Sequence, residues 1–241
     1  MKKILPIVLL SVFVSYTCAQ NGSAPNESIP QGYFVTHSKA ELMQKFADLN
    51  IGIKVTDSIP AIIQKLDKFF ANYKPQKKYP DDVFAKEAVY QAFLGFKEGG
   101  YGIGAILVDS KGNILVKDHN TQIQKHRSDL HAEMTVMTDF EESPVSKDYM
   151  DLYVYKPGLT LFSSSEPCPM CFIRLASARV LTKYCCVGPE DGMATRIDCL
   201  PSSWQDLARK NPCTKDQSSP ILQKVSHLLF FSYLLDNRGP K

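Results

Sequence analysis

Apolar positions along the chain recur first at helical and then at mixed intervals. Leu42, Phe46 and Leu49 follow Ser38 at steps of three and four. Ser38 and Glu41 have capping-box spacing, so a helix is predicted to start at Ser38. Ile59, Ile62, Ile63, Leu66, Phe69 and Phe70 repeat the pattern behind Ser58. Pro75 and Pro80 then interrupt the chain around a basic segment, YKPQKKYP, read as a solvated connector. In residues 81–97, Phe84, Ala88, Ala92, Phe93 and Phe96 line one helical face. Residues 102–109 and 113–117 read as strands joined by the turn Ser110-Lys111-Gly112. A helix over 131–141, a strand over 159–164, a helix over 168–178 and a strand over 180–187 come next. Ser219 and Pro220 open a last helix through ILQKVSHLLFFSYLLD, apolar enough for a core or subunit interface. Alternation of this kind indicates a layered α/β domain.

The start of the chain has a different pattern. Lys2 and Lys3 precede an apolar run over residues 4–14 and then small residues, the order of a secretory signal peptide over 1–19. The run is shorter than the roughly 20 apolar residues of a membrane helix. Thr17 and Ala19 fit cleavage after Ala19, while Cys18 offers lipid attachment as the alternative, although Thr17 suits a lipoprotein box poorly. Export to the periplasm or exterior is the expectation, with the protein either secreted or anchored through Cys18. Residues 20–36 have linker composition, 37–79 form a short helical extension, and 80–241 form the main domain.

With 241 residues, 44% apolar and 22% charged, the chain is large enough for a core and too apolar for wholesale disorder. Lys plus Arg number 28 against 25 Asp plus Glu. Such near-neutrality disfavours a nucleic-acid partner. Of the seven cysteines, Cys185 and Cys186 sit adjacent in a predicted strand and read as small core residues. Cys199 and Cys213 flank a turn-rich, Pro-containing stretch and form the candidate disulfide of an exported chain.

Two short segments carry chemistry, His131-Ala132-Glu133 and Pro167-Cys168-Pro169-Met170-Cys171. A Cys-x-x-Cys pair opening a helix puts two sulfurs on one face, near the positive end of the helix dipole, which favours thiolates. With the His131 imidazole, Cys168 and Cys171 make three zinc ligands and leave the fourth position open. An open position lets zinc acidify water for hydrolysis. Glu133 is then the proton shuttle. Residues two apart on a helix point about 200° apart, so His131 must sit at the helix start if it and Glu133 are to share the site.

H-x-E followed by P-C-x-x-C is the signature of zinc-dependent nucleobase deaminases. Residues 82–188 resemble the cytidine and nucleoside deaminase superfamily throughout: GGYGIGAILV at the first strand, Asp118-His119-Asn120 before the site, then HAEM and SSSEPCPMC as the metal motifs. The EPCPMC form is most similar to guanine and tRNA adenosine deaminases. The resemblance implies a three-layer α/β/α fold with a central mixed sheet, a Zn2+ cofactor and a homodimer. It also implies substrate contacts at Asn120, Ala132, Ser165 and Glu166. Phe172, Ile173 and Arg174, where relatives carry small residues, and Thr135 depart from the pattern, so the base is not assigned by the motif.

The expected activity is hydrolytic removal of an exocyclic amine from a nucleobase, nucleoside or nucleotide. The alternatives are an RNA adenosine deaminase, an exported deaminase effector, and a non-catalytic exported zinc-binding module. A thioredoxin-like redox pair leaves His131 and Glu133 unexplained. A closed structural zinc site needs a fourth ligand, for which His126 is available. His119 reads equally as pocket lining or as a packing residue, His37 and His227 as surface or interface residues, and Glu141 and Glu142 as a solvated helix end.

Overall fold

The computed structural model describes residues 38–151, 154–188 and 192–235. The readings of residues 1–36 as leader and linker, of Cys18 as a lipid site and of His37 lie outside them. Among the described residues no helix is long and apolar enough to cross a membrane.

Helix α1 (Lys39–Ala47) starts where the capping spacing predicts, the Ser38 hydroxyl accepting the Glu41 N–H at 3.2 Å. Helix α2 (Ile59–Asn72) comes after Ser58, with proline in its first turn. Helix α3 (Asp82–Lys97) leads into the hairpin of β1 (Gly104–Val108) and β2 (Ile114–His119). After α4 (Gln122–Lys125) come α5 (Ala132–Glu142), the two-residue strands β3 (Met150–Asp151) and β4 (Val154–Tyr155), and β5 (Thr160–Ser165). Helix α6 (Pro169–Ser177), β6 (Leu181–Cys186), α7 (Ser202–Lys210), β7 (Cys213–Lys215) and α8 (Pro220–Phe230) complete the order.

The main sheet runs β2-β1-β5-β6-β7. Strand β1 is antiparallel to both β2 and β5, whereas β5, β6 and β7 are parallel, so the sheet is mixed as expected. Alternation along β1 divides the core. Ala105 and Leu107 join Val136, Met137 and Phe140 of α5 and Leu175 of α6, and Ile106 and Val108 join Ala88 of α3 and Phe162. Helices α5 and α6 thus cover one face, and α3 and α8 the other, which makes three layers. Gly104 is required where α3 crosses β1, because a Cβ there would lie 2.2 Å from the Ala92 nitrogen.

Residues 38–79 share a core with the main domain. Leu42 and Phe46 of α1, Ile62, Leu66 and Phe70 of α2, Phe93 and Phe96 of α3, and Leu222 and Leu229 of α8 form one buried cluster. Polar contacts cross the same junction: Tyr73 Oη donates to Asp82 Oδ2 at 2.6 Å and the Gln76 N–H to the same oxygen at 2.8 Å.

Three expectations are corrected. No disulfide joins Cys199 and Cys213. Residues 199–213 are no simple turn, because α7 fills most of the interval, placing Cys199 at the end of a 3-10 helix and Cys213 in β7 beside Thr182. Helix α7 carries a short apolar stripe, Trp204, Leu207 and Ala208 at steps of three and four, but buries only Ala208, and in the sequence it reads as part of the turn-rich stretch. The last helix ends at Phe230 and tightens into a 3-10 turn over Phe231–Leu235, where tertiary packing of Phe231 and Leu235 overrides the continuous pattern.

If α1 is part of this core, Phe46→Ala removes a fully buried ring and destabilises the whole protein by about 3–5 kcal/mol. Chemical denaturation followed by circular dichroism and by near-ultraviolet absorbance is expected to shift as a single transition. Separate early loss of a minor transition would show that α1 folds apart from the sheet.

Candidate metal centre

Two helix starts build the site. His131 is the N-cap of α5, with extended backbone angles of φ −65° and ψ 156°, and Cys168 is the N-cap of α6, with φ −67° and ψ 169°. Neither side chain makes a capping hydrogen bond to its own helix. Both therefore point away from the turn that usually consumes an N-cap side chain, toward one place. The non-helical angles of His131 also remove the 200° conflict, letting Glu133 in the first turn face the same region. Pro169 fits the first turn of α6, so the helix begins one residue past Cys168, the position at which the sequence pattern puts its start.

The three donors converge. One ligand atom each from His131, Cys168 and Cys171 lies within 4.8 Å of the others. Cys168 Sγ is 3.5 Å from His131 Nδ1 and 3.7 Å from Cys171 Sγ. Tetrahedral zinc, with bonds of about 2.3 Å to sulfur and 2.0 Å to nitrogen, requires S–N and S–S separations of about 3.5 and 3.8 Å. The donor set fits zinc in both chemistry and spacing. The hydrogen bond with the Cys171 sulfur, helped by His131, brings the Cys168 thiol down to about 4. The same hydrogen bond and burial push Cys171 up. The shift favours the thiolate form of Cys168, which is the form a metal binds.

Glu133 is buried, and burial, with the Cys168 sulfur nearby, raises its carboxyl above the ordinary range. Ser163 Oγ donates to Glu133 Oε1 at 2.8 Å from the facing strand β5. Ser163 opens the SSSEPCPMC segment but is not singled out there, although its place two residues before Ser165 puts both on one strand face. Thr135 turns away from any pocket: its hydroxyl and its N–H both donate to the His131 carbonyl, at 3.0 and 2.9 Å, fixing the N-cap.

The residues named as substrate contacts divide. Asn120 is fully buried at the end of β2, its amide donating to Gln122 Oε1 at 2.7 Å and its Oδ1 accepting the Gln122 N–H at 3.0 Å. Ala132 is fully buried in the first turn of α5. Ser165 is buried with no hydrogen-bond partner for its hydroxyl. The Glu166 carboxylate is spent elsewhere: it accepts the Gly188 N–H at 3.0 Å, the Thr195 N–H at 2.7 Å and the Thr195 hydroxyl at 2.9 Å. Glu166 therefore ties the segment after β6 to the metal-motif loop. His119 makes a packing contact, its Nε2 3.1 Å from Glu98 Oε2. His126 is exposed and stands outside the donor cluster, so it supplies no fourth ligand. Glu141 is no simple solvated end, since Tyr155 and Arg174 both donate to it.

Residues 79–187 match a family model described as the cytidine and deoxycytidylate deaminase zinc-binding region. A cytosine deaminase of Candida albicans is 34% identical over 84 residues, 35% of this chain and 51% of that protein. A tRNA-specific adenosine deaminase of Bacillus subtilis is 35% identical over 100 residues, 42% of this chain and 57% of that protein. The chain thus spans little more than half the length of these curated relatives. A solved structure in complex with 2,6-diaminopurine superposes with a TM-score of 0.50 at 16% identity, covering 71% of this chain and 90% of the other. That likeness concerns the fold.

With three protein donors, loss of any one leaves two. Cys171→Ser is expected to lower bound zinc from about one equivalent per chain to below a tenth after dialysis against a weak chelator. Elemental analysis by mass spectrometry checks this, and undiminished zinc in the variant would place the metal elsewhere.

Proposed function

We propose, from the premise that residues 79–187 carry the zinc-binding region of the cytidine and deoxycytidylate deaminase family, that the protein is a zinc-dependent hydrolytic deaminase acting on a nucleobase, nucleoside or nucleotide. The observation that carries this reading is the convergence of the His131, Cys168 and Cys171 donors beside the buried Glu133 carboxylate.

His131, Cys168 and Cys171 would hold the ion, and zinc there supplies Lewis acidity that lowers the pKa of water to about 7. Hydrolysis adds the oxygen of water to the ring carbon, breaks that carbon's bond to the exocyclic nitrogen and releases ammonia. Glu133 takes one proton from water and hands it to the departing nitrogen. Its raised proton affinity suits this exchange, because a strongly acidic carboxyl would give the proton up to solvent instead. Ser163 holds the carboxylate in one rotamer through its 2.8 Å hydrogen bond. Asn120, Ala132 and Ser165 are the proposed pocket wall, with the unpartnered Ser165 hydroxyl available to a polar edge of the base. Glu166 contributes through the backbone it fixes.

A small substrate is favoured by the balance of 28 basic against 25 acidic residues. The Bacillus subtilis relative supports a second reading, deamination of adenosine in tRNA. The reading extends to an exported protein, either released after Ala19 or anchored at Cys18, and to a homodimer.

The test offers zinc-loaded protein cytosine, guanine, adenine, their nucleosides and nucleotides, and a tRNA anticodon stem, with ammonia measured. Turnover of one small-molecule class is expected, and turnover of the stem alone would replace the first reading with the second. Glu133→Gln is expected to lower kcat by at least about 100-fold while zinc stays bound. Ser163→Ala, which frees the carboxylate without removing it, is expected to lower kcat about tenfold with KM unchanged. Silence across the panel at full zinc occupancy would favour a non-catalytic zinc-binding module.

A further inference from the structure

Arg174 lies on α6 outside the donor set of His131, Cys168 and Cys171. It lies one turn beyond Cys171 on α6, so residues three apart place it on the helix flank that carries that ligand. Its guanidinium spans to α5. Nη1 donates to the carbonyl of Met134 at 2.9 Å and to Thr138 Oγ1 at 3.0 Å, and Nη2 donates to Glu141 Oε2 at 2.9 Å. The other oxygen of Glu141 accepts Tyr155 Oη at 2.5 Å, and Tyr155 stacks on Phe140 of α5 with ring centroids 5.9 Å apart. The fork is thus held at its far end by a buried aromatic.

Two features separate this contact from an ordinary surface ion pair. First, the Met134 carbonyl is the backbone group immediately after Glu133, so the fork grips α5 within its first turn. Second, the guanidinium is planar and pre-formed, so its three bonds fix α6 against α5 in both distance and rotation, which a charge attraction alone does not do. Exposed ion pairs contribute little to stability, and this one is partly exposed. Its consequence lies in geometry. Helix α5 carries His131 and Glu133, helix α6 carries Cys168 and Cys171, and Arg174 bonds three groups of α5 from α6, away from the donors themselves.

We infer that Arg174 is a positioning residue that sets α5 against α6, and through them the imidazole and carboxylate against the two sulfurs. The inference rests on the reading of His131, Cys168 and Cys171 as a zinc site. Groups bonded directly to metal ligands are worth about 10- to 100-fold in metal affinity or activity, and Arg174, which acts on the ligands through their helices, is assigned the lower end of that range.

The test measures zinc affinity by competition with a chromophoric chelator, for the full chain and for Arg174→Met and Arg174→Lys, at a temperature where circular dichroism shows all three folded. Both variants are expected to bind zinc about tenfold more weakly. Lysine keeps the charge and the stem but lacks the fork, so it does not rescue. The visible ligand-field spectrum of the Co2+-loaded variants is expected to change, and kcat to fall about tenfold with KM unchanged. Zinc affinity and Co2+ spectra within twofold of the parent, even with a lowered melting temperature, would reduce Arg174 to a stabilising residue and overturn the inference. If Arg174→Met does not fold, Arg174→Lys decides alone. A parent protein that binds no zinc would defeat the metal-site reading itself, whereas zinc binding that weakens in the variants without any ammonia release in the parent would uphold Arg174 and defeat only the catalytic reading.

Discussion

Two helices that start at one point are the constraint on which the site is built. A helix N-terminus leaves backbone N–H groups unsatisfied and normally draws in its own N-cap side chain. In α5 and α6 that side chain is His131 and Cys168, and neither turns back to cap its helix. The positive ends of both helices therefore face a thiolate and an imidazole instead, and a negative sulfur is favoured there. Cys171 on the next turn of α6 and Glu133 on the first turn of α5 complete the set. No loop has to hold a ligand by itself.

The sheet is what makes the two starts coincide. Strand β5 is parallel to β6, and α6 is the connection between them, so α6 must begin beyond the carboxyl end of β5. Open α/β sheets bind ligands at that end of their strands. Strand β1 lies between β2 and β5, and α5 packs across all three strands on the face that α6 also covers. Ser163 on β5 reaches Glu133 from below, and Glu166, just past the strand, fastens the segment at Gly188 and Thr195. Helices α3 and α8 close the opposite face. Helices α1 and α2 thicken that layer through Leu42, Phe46, Leu66 and Phe70, so the residues ahead of the matched region contribute to the same core.

Much of this was legible in the residues. The 3.6-residue spacing in 38–49, 59–70 and 84–96 and the capping residues Ser38, Ser58 and Ser219 place the starts of four helices within a residue or two. The turn at Gly112, where φ is +85°, separates the two strands expected around it. The donor set was readable because its spacing is chemical: thiols three apart and an imidazole two before a carboxylate have few other uses together. The features that were not legible depend on contacts far apart in sequence. Ser163 is one serine among three, and only its pairing with Glu133, 30 residues away, distinguishes it. Glu166 resembles a pocket residue by position, yet its orientation is set by Thr195, which no local pattern connects to it. Helix α7 has only three apolar positions, Trp204, Leu207 and Ala208, of which Ala208 alone is buried, so its short stripe is passed over, and without the helix the cysteines on either side read as neighbours across a turn.

X-ray absorption at the zinc edge of the purified, zinc-loaded protein measures the shared coordination directly. Two sulfur neighbours at about 2.3 Å, one imidazole nitrogen at about 2.0 Å and one light solvent atom are expected, with the light-atom shell changing when a purine or pyrimidine inhibitor is added. A shell with fewer than two sulfurs, or a fourth protein ligand that no added compound perturbs, would contradict the open three-ligand centre on which the structure's chemistry depends.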